Sequence, residues 1–296
     1  MISMNNSGDK HNHPRKITRR GFLRATRNVF LGSIFWSLGG WKYAAFERGW
    51  IKITREVFQI PGLPAAFSGL TVAHLSDLHF NDWMTPERFE EVVIMVNEMA
   101  ADMIVITGDI LDRGTVLTQT SEYIALLTKL AAPRGKYAVL GNHDHWRASE
   151  VSRQMMAESG IEDLSNRTVR LGVEQDSLYI CGLDSYVIGK QNLKKVLSEL
   201  PQAAPAILLV HEPDYADVSA ITGRFSLQLS GHSHGGQVDL PLFGPPVTPK
   251  FGRKYPRGRY QIGEMHLFTS TGIGMVAPYI RLNCRPEIGM YTLEAA

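Results

Sequence analysis

Five short clusters of oxygen and imidazole side chains punctuate this chain. They are LSDLHF (75–80), TGDILD (107–112), LGNHDHW (140–146), LVHEPD (209–214) and SGHSHGG (230–236). Each begins where an apolar run ends. A strand interior would not place an aspartate and a histidine two residues apart, as Asp77 and His79 are. A metal site would. The candidate ligands are Asp77, His79, Asp109, Asn142, His211, His232 and His234. They mix carboxylate, amide oxygen and imidazole with no thiolate, a set suited to manganese, iron or zinc. Seven exceed the four ligands of a structural zinc site. They suffice for two metals if one carboxylate bridges, and two metals about 3.5–4 Å apart are a common device for hydrolysing phosphate esters. In that chemistry both ions polarise the phosphoryl oxygens while an acidified hydroxide between them attacks in line.

The elements that must position these residues alternate along the chain. LTVAHL (70–75), 102–107, 136–140, 178–183, 206–210, 225–230, 265–270 and 287–293 read as strands, several of them continuous apolar runs. Residues 86–101 repeat apolar positions at Phe89, Val92, Val93, Val96 and Met99, a helix with one buried face, opened by Thr85 and Pro86. Residues 119–131 and 192–200 also read as helices. Apolar strands separated by helices predict an α/β layer architecture. The late strands lack long intervening helices, so the sheets should be mixed. Every ligand cluster lies just past the C-terminal end of a predicted strand, where ligand sites of open α/β sheets gather.

The chain has 296 residues and can bury a full core without staples. Its net charge is +2, but residues 1–28 hold seven basic side chains and one acidic, so the remaining 268 sum to −4. A mildly acidic body does not suggest a nucleic-acid binder. Cys181 and Cys284 read as two buried thiols rather than a disulfide framework.

The basic excess belongs to a leader. TRRGFLRA (18–25), with Arg19 and Arg20, followed by the apolar VFLGSIFWSLGGW (29–41), matches a twin-arginine export signal. The apolar run is short of the roughly 20 residues that span a bilayer. The chain therefore divides into a signal or membrane anchor over 1–46 and a catalytic domain over 47–296. The expectation is export to the periplasm or the extracytoplasmic face of the membrane, through the twin-arginine machinery. An uncleaved leader on a cytoplasmic, membrane-associated body is the alternative.

The series D-x-H, G-D, G-N-H-D, H and G-H-x-H, between about residues 70 and 240, resembles the calcineurin-like metallophosphoesterases. SGHSHGGQVDLPLFG (230–244) and RLNCRPEIGMYTL (281–293) resemble a bacterial branch with a twin-arginine leader and phosphodiesterase activity. The resemblance implies a four-layer sandwich, two mixed β-sheets flanked by α-helices. It implies that Asp77, His79 and His234 bind one divalent metal, that Asn142, His211 and His232 bind a second, and that Asp109 bridges them. His143 would act on the scissile phosphate, and Asp144 would orient His143 or cap the following turn. Asp112 would support the bridging aspartate's loop or simply cap it.

The implied activity is phosphodiester hydrolysis. Two alternatives stand beside it: cleavage of the pyrophosphate of UDP-2,3-diacylglucosamine, and a non-catalytic metal-binding scaffold. His74 and His266 read as strand residues, His145 and Asp184 as pocket-lining or structural, and Glu212 has no assigned part. The basic stretch TPKFGRKYPRGRY (248–260) suits either an anionic substrate or membrane surface, or a solvated loop.

Overall fold

The computed structural model describes residues 19–37, 39–173 and 176–296. The chain forms two units, Met1–Tyr43 and Ala44–Ala296. Of the predicted leader, residues 1–18 and residue 38 lie outside the described residues. Arg19 and Arg20 open the helix Arg19–Ser37. Among the described residues no helix is long and apolar enough to cross a membrane.

The larger unit carries twelve strands: β1 Lys52–Ile60, β2 Leu70–Leu75, β3 Met103–Thr107, β4 Lys136–Val139, β5 Glu162–Asp163, β6 Arg167–Val173, β7 Asp176–Gly182, β8 Ala206–Leu209, β9 Leu227–Ser230, β10 Gly258–Ile262, β11 Met265–Thr269 and β12 Glu287–Ala295. They form two six-stranded sheets, ordered β1-β12-β2-β3-β4-β5 and β10-β11-β9-β8-β7-β6. Both sheets are mixed. In the first, β2, β3, β4 and β5 run parallel, and β12 is antiparallel to β2. In the second, β7, β8, β9 and β11 run parallel, with antiparallel β6 and β10 at the edges.

Alternation along the strands builds the layers, because successive side chains point to opposite faces. Met103 and Val105 of β3, Tyr137 and Val139 of β4 and Val72 of β2 meet Ile180, Ile207, Leu209, Leu227 and Leu229 of the facing sheet. The residues between them, Ile104, Ile106 and Ala138, face outward onto Phe89, Val92, Val96, Leu127, Met155 and Met156. Phe89, Val92 and Val96 lie on the helix Pro86–Glu98, whose apolar stripe is the one the sequence predicts. Cys181 and Leu208 face the other way, onto Val196, Leu200 and Tyr215. The result is helix, sheet, sheet, helix. Both cysteines are free and buried, as expected.

The differences from the sequence reading are at the edges. β1, β6 and β10 are not among the predicted strands. Each contains charged residues, as in KITREVFQI, and pairs along one side only, so apolar continuity is weak; the two-residue edge strand β5 is also not among the predicted strands. β10 lies partly inside the basic stretch 248–260. The helices Asn142–Arg147 and Ser149–Glu158 also went unpredicted.

Candidate metal centre

Parallel β2, β3 and β4 of one sheet and β8 and β9 of the other each end in one of the five clusters, and the loops that follow converge. The loop backbones continue the ladders. Asp77 N–H donates to Gly108 O and His79 N–H to Asp109 O, each at 3.0 Å, and Gly231 N–H donates to His211 O at 3.0 Å. Five of the seven predicted ligands have left-handed backbone: Asp77 (φ 53°), His79 (46°), Asp109 (54°), His232 (67°) and His234 (50°). Such conformations cost about 1–3 kcal/mol each for non-glycine residues and cluster at functional sites. Here they turn the side chains back toward the strand ends. Gly231 has no room for a side chain, since a Cβ there would lie 1.8 Å from Ser76 Oγ and 2.2 Å from Asp77 Oδ2.

All seven residues are buried. Asp77, His79 and His234 each present one ligand atom within 4.8 Å of the others, and so do Asp109, His211 and His232. In the first group His79 Nε2 and His234 Nε2 are 3.1 Å apart, with Asp77 Oδ1 3.8 Å and 3.3 Å from them. In the second, His211 Nε2 lies 3.0 Å from Asp109 Oδ2 and 3.2 Å from His232 Nδ1. Asp109 Oδ2 is also 3.6 Å from His79 Nε2, so this carboxylate stands between the groups. His232 and His234 do not face the same way, as an extended loop would have them. The turn at His234–Gly236 sends one ring to His211 and the other to His79.

The proton inventory fits a cation. His211 donates Nδ1–H to the Thr107 carbonyl at 2.7 Å, and His232 donates Nε2–H to the Lys250 carbonyl at 2.9 Å. A carbonyl only accepts, so the remaining nitrogen of each neutral ring is a bare lone pair. Those two nitrogens face each other beside the Asp109 carboxylate. Burial opposes charge on His211, but Asp109 and Asp77 outweigh it and raise its pKa well above the usual value. Burial and the neighbouring His211 lower His232; burial and His79 hold His234 well below the usual value. One proton can bridge one pair, and the other nitrogens stay in their ligand form. Asn142 Oδ1 is buried without a hydrogen-bond partner and Asn142 borders the same cavity, so a further oxygen donor stands ready. The residues present therefore fit divalent ions.

Asp77 ends a chain of buried hydrogen bonds. Ser76 Oγ donates to Asp77 Oδ2 at 2.6 Å, Thr107 Oγ1 to Ser76 Oγ at 2.8 Å, and His74 Nε2 to Thr107 Oγ1 at 2.8 Å. Tyr291 OH then donates to His74 Nδ1 at 3.1 Å. Each donor points toward the carboxylate. His74, read from the sequence as a strand residue, is thus buried and hydrogen-bonded at both ring nitrogens.

His143 lies at the cavity with its Nδ1 2.8 Å from Asp112 Oδ1 and its backbone N–H on Asp109 Oδ1, also at 2.8 Å. Burial pulls its pKa down, but Asp109 and the bond to Asp112 prevail and raise it. Asp144 does not orient His143. Its buried carboxylate accepts from Gly141 N–H at 2.9 Å, Leu111 N–H at 3.0 Å and Ser152 Oγ at 2.8 Å, which ties the β4 turn to the β3 loop. The orienting carboxylate is Asp112, whose place three residues after Asp109 was the available signal.

Sequence reasoning also missed Arg281. It is fully buried and donates to the carbonyls of Thr271 (2.8 Å), Gly272 (3.0 Å), Gly274 (2.6 Å) and Cys284 (3.2 Å). That segment in turn holds the Asp77 loop, with Ile273 N–H on Ser76 O and Gly274 N–H on Asp77 O. His145 pairs with Asp184 at 2.6 Å, and Glu212 accepts from Ser185, Tyr186 and Val187. In the basic stretch, Lys254 pairs with Asp217 at 2.7 Å, Arg257 with Asp239, and Arg259 with Glu56 at 3.3 Å. Much of that charge is spent within the fold.

Comparison with known proteins adds a lineage to this geometry. A family model described as calcineurin-like phosphoesterase matches residues 70–236. The chain is 35% identical over 284 residues to the uncharacterized metallophosphoesterase YkuE of Bacillus subtilis, covering 95% of this chain and 99% of that one. It is 27% identical over 285 residues to the phosphodiesterase YaeI of Escherichia coli, covering 94% and 99%. A second Bacillus subtilis protein, the uncharacterized metallophosphoesterase YkoQ, is 31% identical over 252 residues, covering 81% and 89%.

Proposed function

The chain belongs to the calcineurin-like phosphoesterase family, and from that membership we propose that it hydrolyses phosphodiesters at a dinuclear metal centre outside the cytoplasm. One observation carries the reading: two buried ligand groups, Asp77/His79/His234 and Asp109/His211/His232, meet at the Asp109 carboxylate. Asp77, His79 and His234 would hold one ion, His211, His232 and Asn142 the other, and Asp109 both. Two divalent ions there would supply Lewis-acid polarisation of the phosphoryl oxygens and an acidified water as nucleophile. The native metal is manganese, iron or zinc on the chemistry of the donors.

The chain's own groups do the rest. Asp112 accepts from His143 Nδ1–H and thereby leaves Nε2 to face the reacting phosphate. With its pKa raised, His143 keeps a proton to give to a phosphoryl oxygen or to the leaving alkoxide. The Asp109 carboxylate holds the same residue in place through its backbone N–H. Preference for a diester rests on the name of the Escherichia coli relative, which matches nearly end to end. Export rests on the leader's order of paired arginines and apolar run.

The test is hydrolysis of bis-p-nitrophenyl phosphate beside p-nitrophenyl phosphate by the manganese-loaded full chain, with His143→Ala as control. Metal-dependent diester cleavage that the variant loses supports the reading. No turnover of either ester with two ions bound per chain sinks it.

A further inference from the structure

The cavity at the metal centre has a volume of about 550 Å³, well within the range of small-molecule sites. One side is the reactive wall: Asp109, Asn142, His143, His232 and His234. The rest is apolar, with Trp146, Val238, Val247, Val276, Ala277 and Ile280. Pro246, Pro249 and Pro278 also line it and have no backbone N–H to donate, and the N–H of Gly236 is already given to Ser233 O at 2.8 Å.

The two remaining polar side chains are already engaged. Gln237 donates its Nε2 to the carbonyls of Val276 at 3.1 Å and Pro278 at 3.3 Å, and its Oε1 accepts from Val276 N–H at 2.9 Å. Ser233 Oγ donates to Pro256 O at 2.5 Å and accepts from Gly235 N–H at 3.1 Å. Among the described residues no lysine or arginine lines the cavity; Arg113 stacks on the ring of Trp146, 4.6 Å from its centroid. Apolar surface also continues along the turn that supplies Val238 and Val247, where Leu242 is 100% exposed.

A buried polar group without a partner is costly. Against these side chains the hydroxyls of a sugar, the edge of a base or a second phosphate would find no unengaged side-chain donor and no lysine or arginine among the lining residues beyond the reactive wall. A hydrocarbon would lose only its contact with water. We infer that the substrate is a phosphodiester with an alkyl or acyl chain as one substituent, seated against the Val238–Val247 and Val276–Ile280 walls. This rests on the phosphodiesterase reading above and names its substrate class.

The experiment uses the manganese-loaded full chain with methyl, butyl and octyl p-nitrophenyl phosphodiesters, all below micelle-forming concentration. In parallel, methylphosphonate, octylphosphonate and AMP are titrated by calorimetry. Full burial of one methylene is worth roughly fourfold. Partial burial of the chain should therefore raise both kcat/KM and affinity at least about tenfold from methyl to octyl. Val247→Asp changes a residue that is 73% exposed, so the fold should tolerate it; it should shrink that ratio, and Ile280→Ser should do the same. Equal kcat/KM and equal affinity across chain lengths, or tighter binding of AMP than of octylphosphonate, overturns the inference while leaving a working phosphodiesterase. Chain-length-dependent binding with no turnover of any ester upholds the pocket and removes the phosphodiesterase reading instead.

Discussion

Asp112 Oδ1 accepts from His143 Nδ1–H at 2.8 Å and lies 3.8 Å from His79 Nδ1, so it bonds the candidate acid and acts on a candidate ligand through its charge alone. Its other oxygen accepts from Asn81 Nδ2 at 3.0 Å, which fixes its plane. Asp112→Asn keeps the shape but removes the charge and can turn a donor toward His143. It should lower kcat about tenfold with KM little changed, whereas His143→Ala should lose about a hundredfold or more. A rise in KM with kcat intact would assign Asp112 to substrate binding instead.

His211 Nε2 and His232 Nδ1, 3.2 Å apart beside Asp109, should make the fold itself sensitive to metal. Chelation should lower the Tm, and manganese at a hundred times its Kd should restore about 2.7 kcal/mol. Asn142→Ala should weaken this response, since its Oδ1 has no other partner. Calorimetric scans with and without the ion measure it. A Tm indifferent to manganese would count against a resident metal.

Gly231→Ala should disable the centre. The new methyl would overlap Ser76 Oγ and Asp77 Oδ2, at 1.8 Å and 2.2 Å, and both are held in the buried hydrogen-bond chain. Overpacking of this kind costs about 1–3 kcal/mol. The variant should bind less metal than wild type by elemental analysis. Gly49→Ala, whose nearest contact would be an ordinary 3.7 Å, is the control. Full metal content in the Gly231 variant would show that the Asp77 loop can move aside.

His74 should make the metal-free protein less stable in acid. Burial lowers its pKa from 6.5 to about 3. Its folded pKa lies below the unfolded one, so the unfolded chain binds more protons between those values. The contribution is fully present above pH 6.5 and is lost progressively as pH falls toward about 3. At pH 5.5 the loss is about 1.4 kcal/mol. Urea unfolding at pH 7.5 and 5.5 should show a decrement smaller by about that amount in His74→Gln than in wild type. An equal decrement in both would place the sensitivity in another group.

Much of the architecture was legible in the residues. Strands such as MIVIT and AILL are apolar throughout because both faces are covered, and the stripe of Phe89, Val92 and Val96 marks its helix by spacing alone. The edge strands β1, β6 and β10 were not legible. Each pairs along one side only, and its charged residues read as loop.

The residue types of the metal centre were determined by the sequence itself. Seven candidate ligands in five clusters, each after an apolar run, required only that the strands of each sheet be neighbours and point the same way. Which carboxylate serves His143, and how close the two candidate ligand groups stand, were decided by tertiary structure alone. Asp144 is adjacent to His143 in the chain, but its carboxylate is drawn to Gly141, Leu111 and Ser152. Asp112, 31 residues away, reaches the imidazole because β3 and β4 are paired in parallel. His232 and His234, two residues apart, diverge where both have left-handed backbone rather than the extended backbone that would align them. Sequence spacing orders side chains only where the backbone is regular, and here the chemistry sits where regular backbone ends.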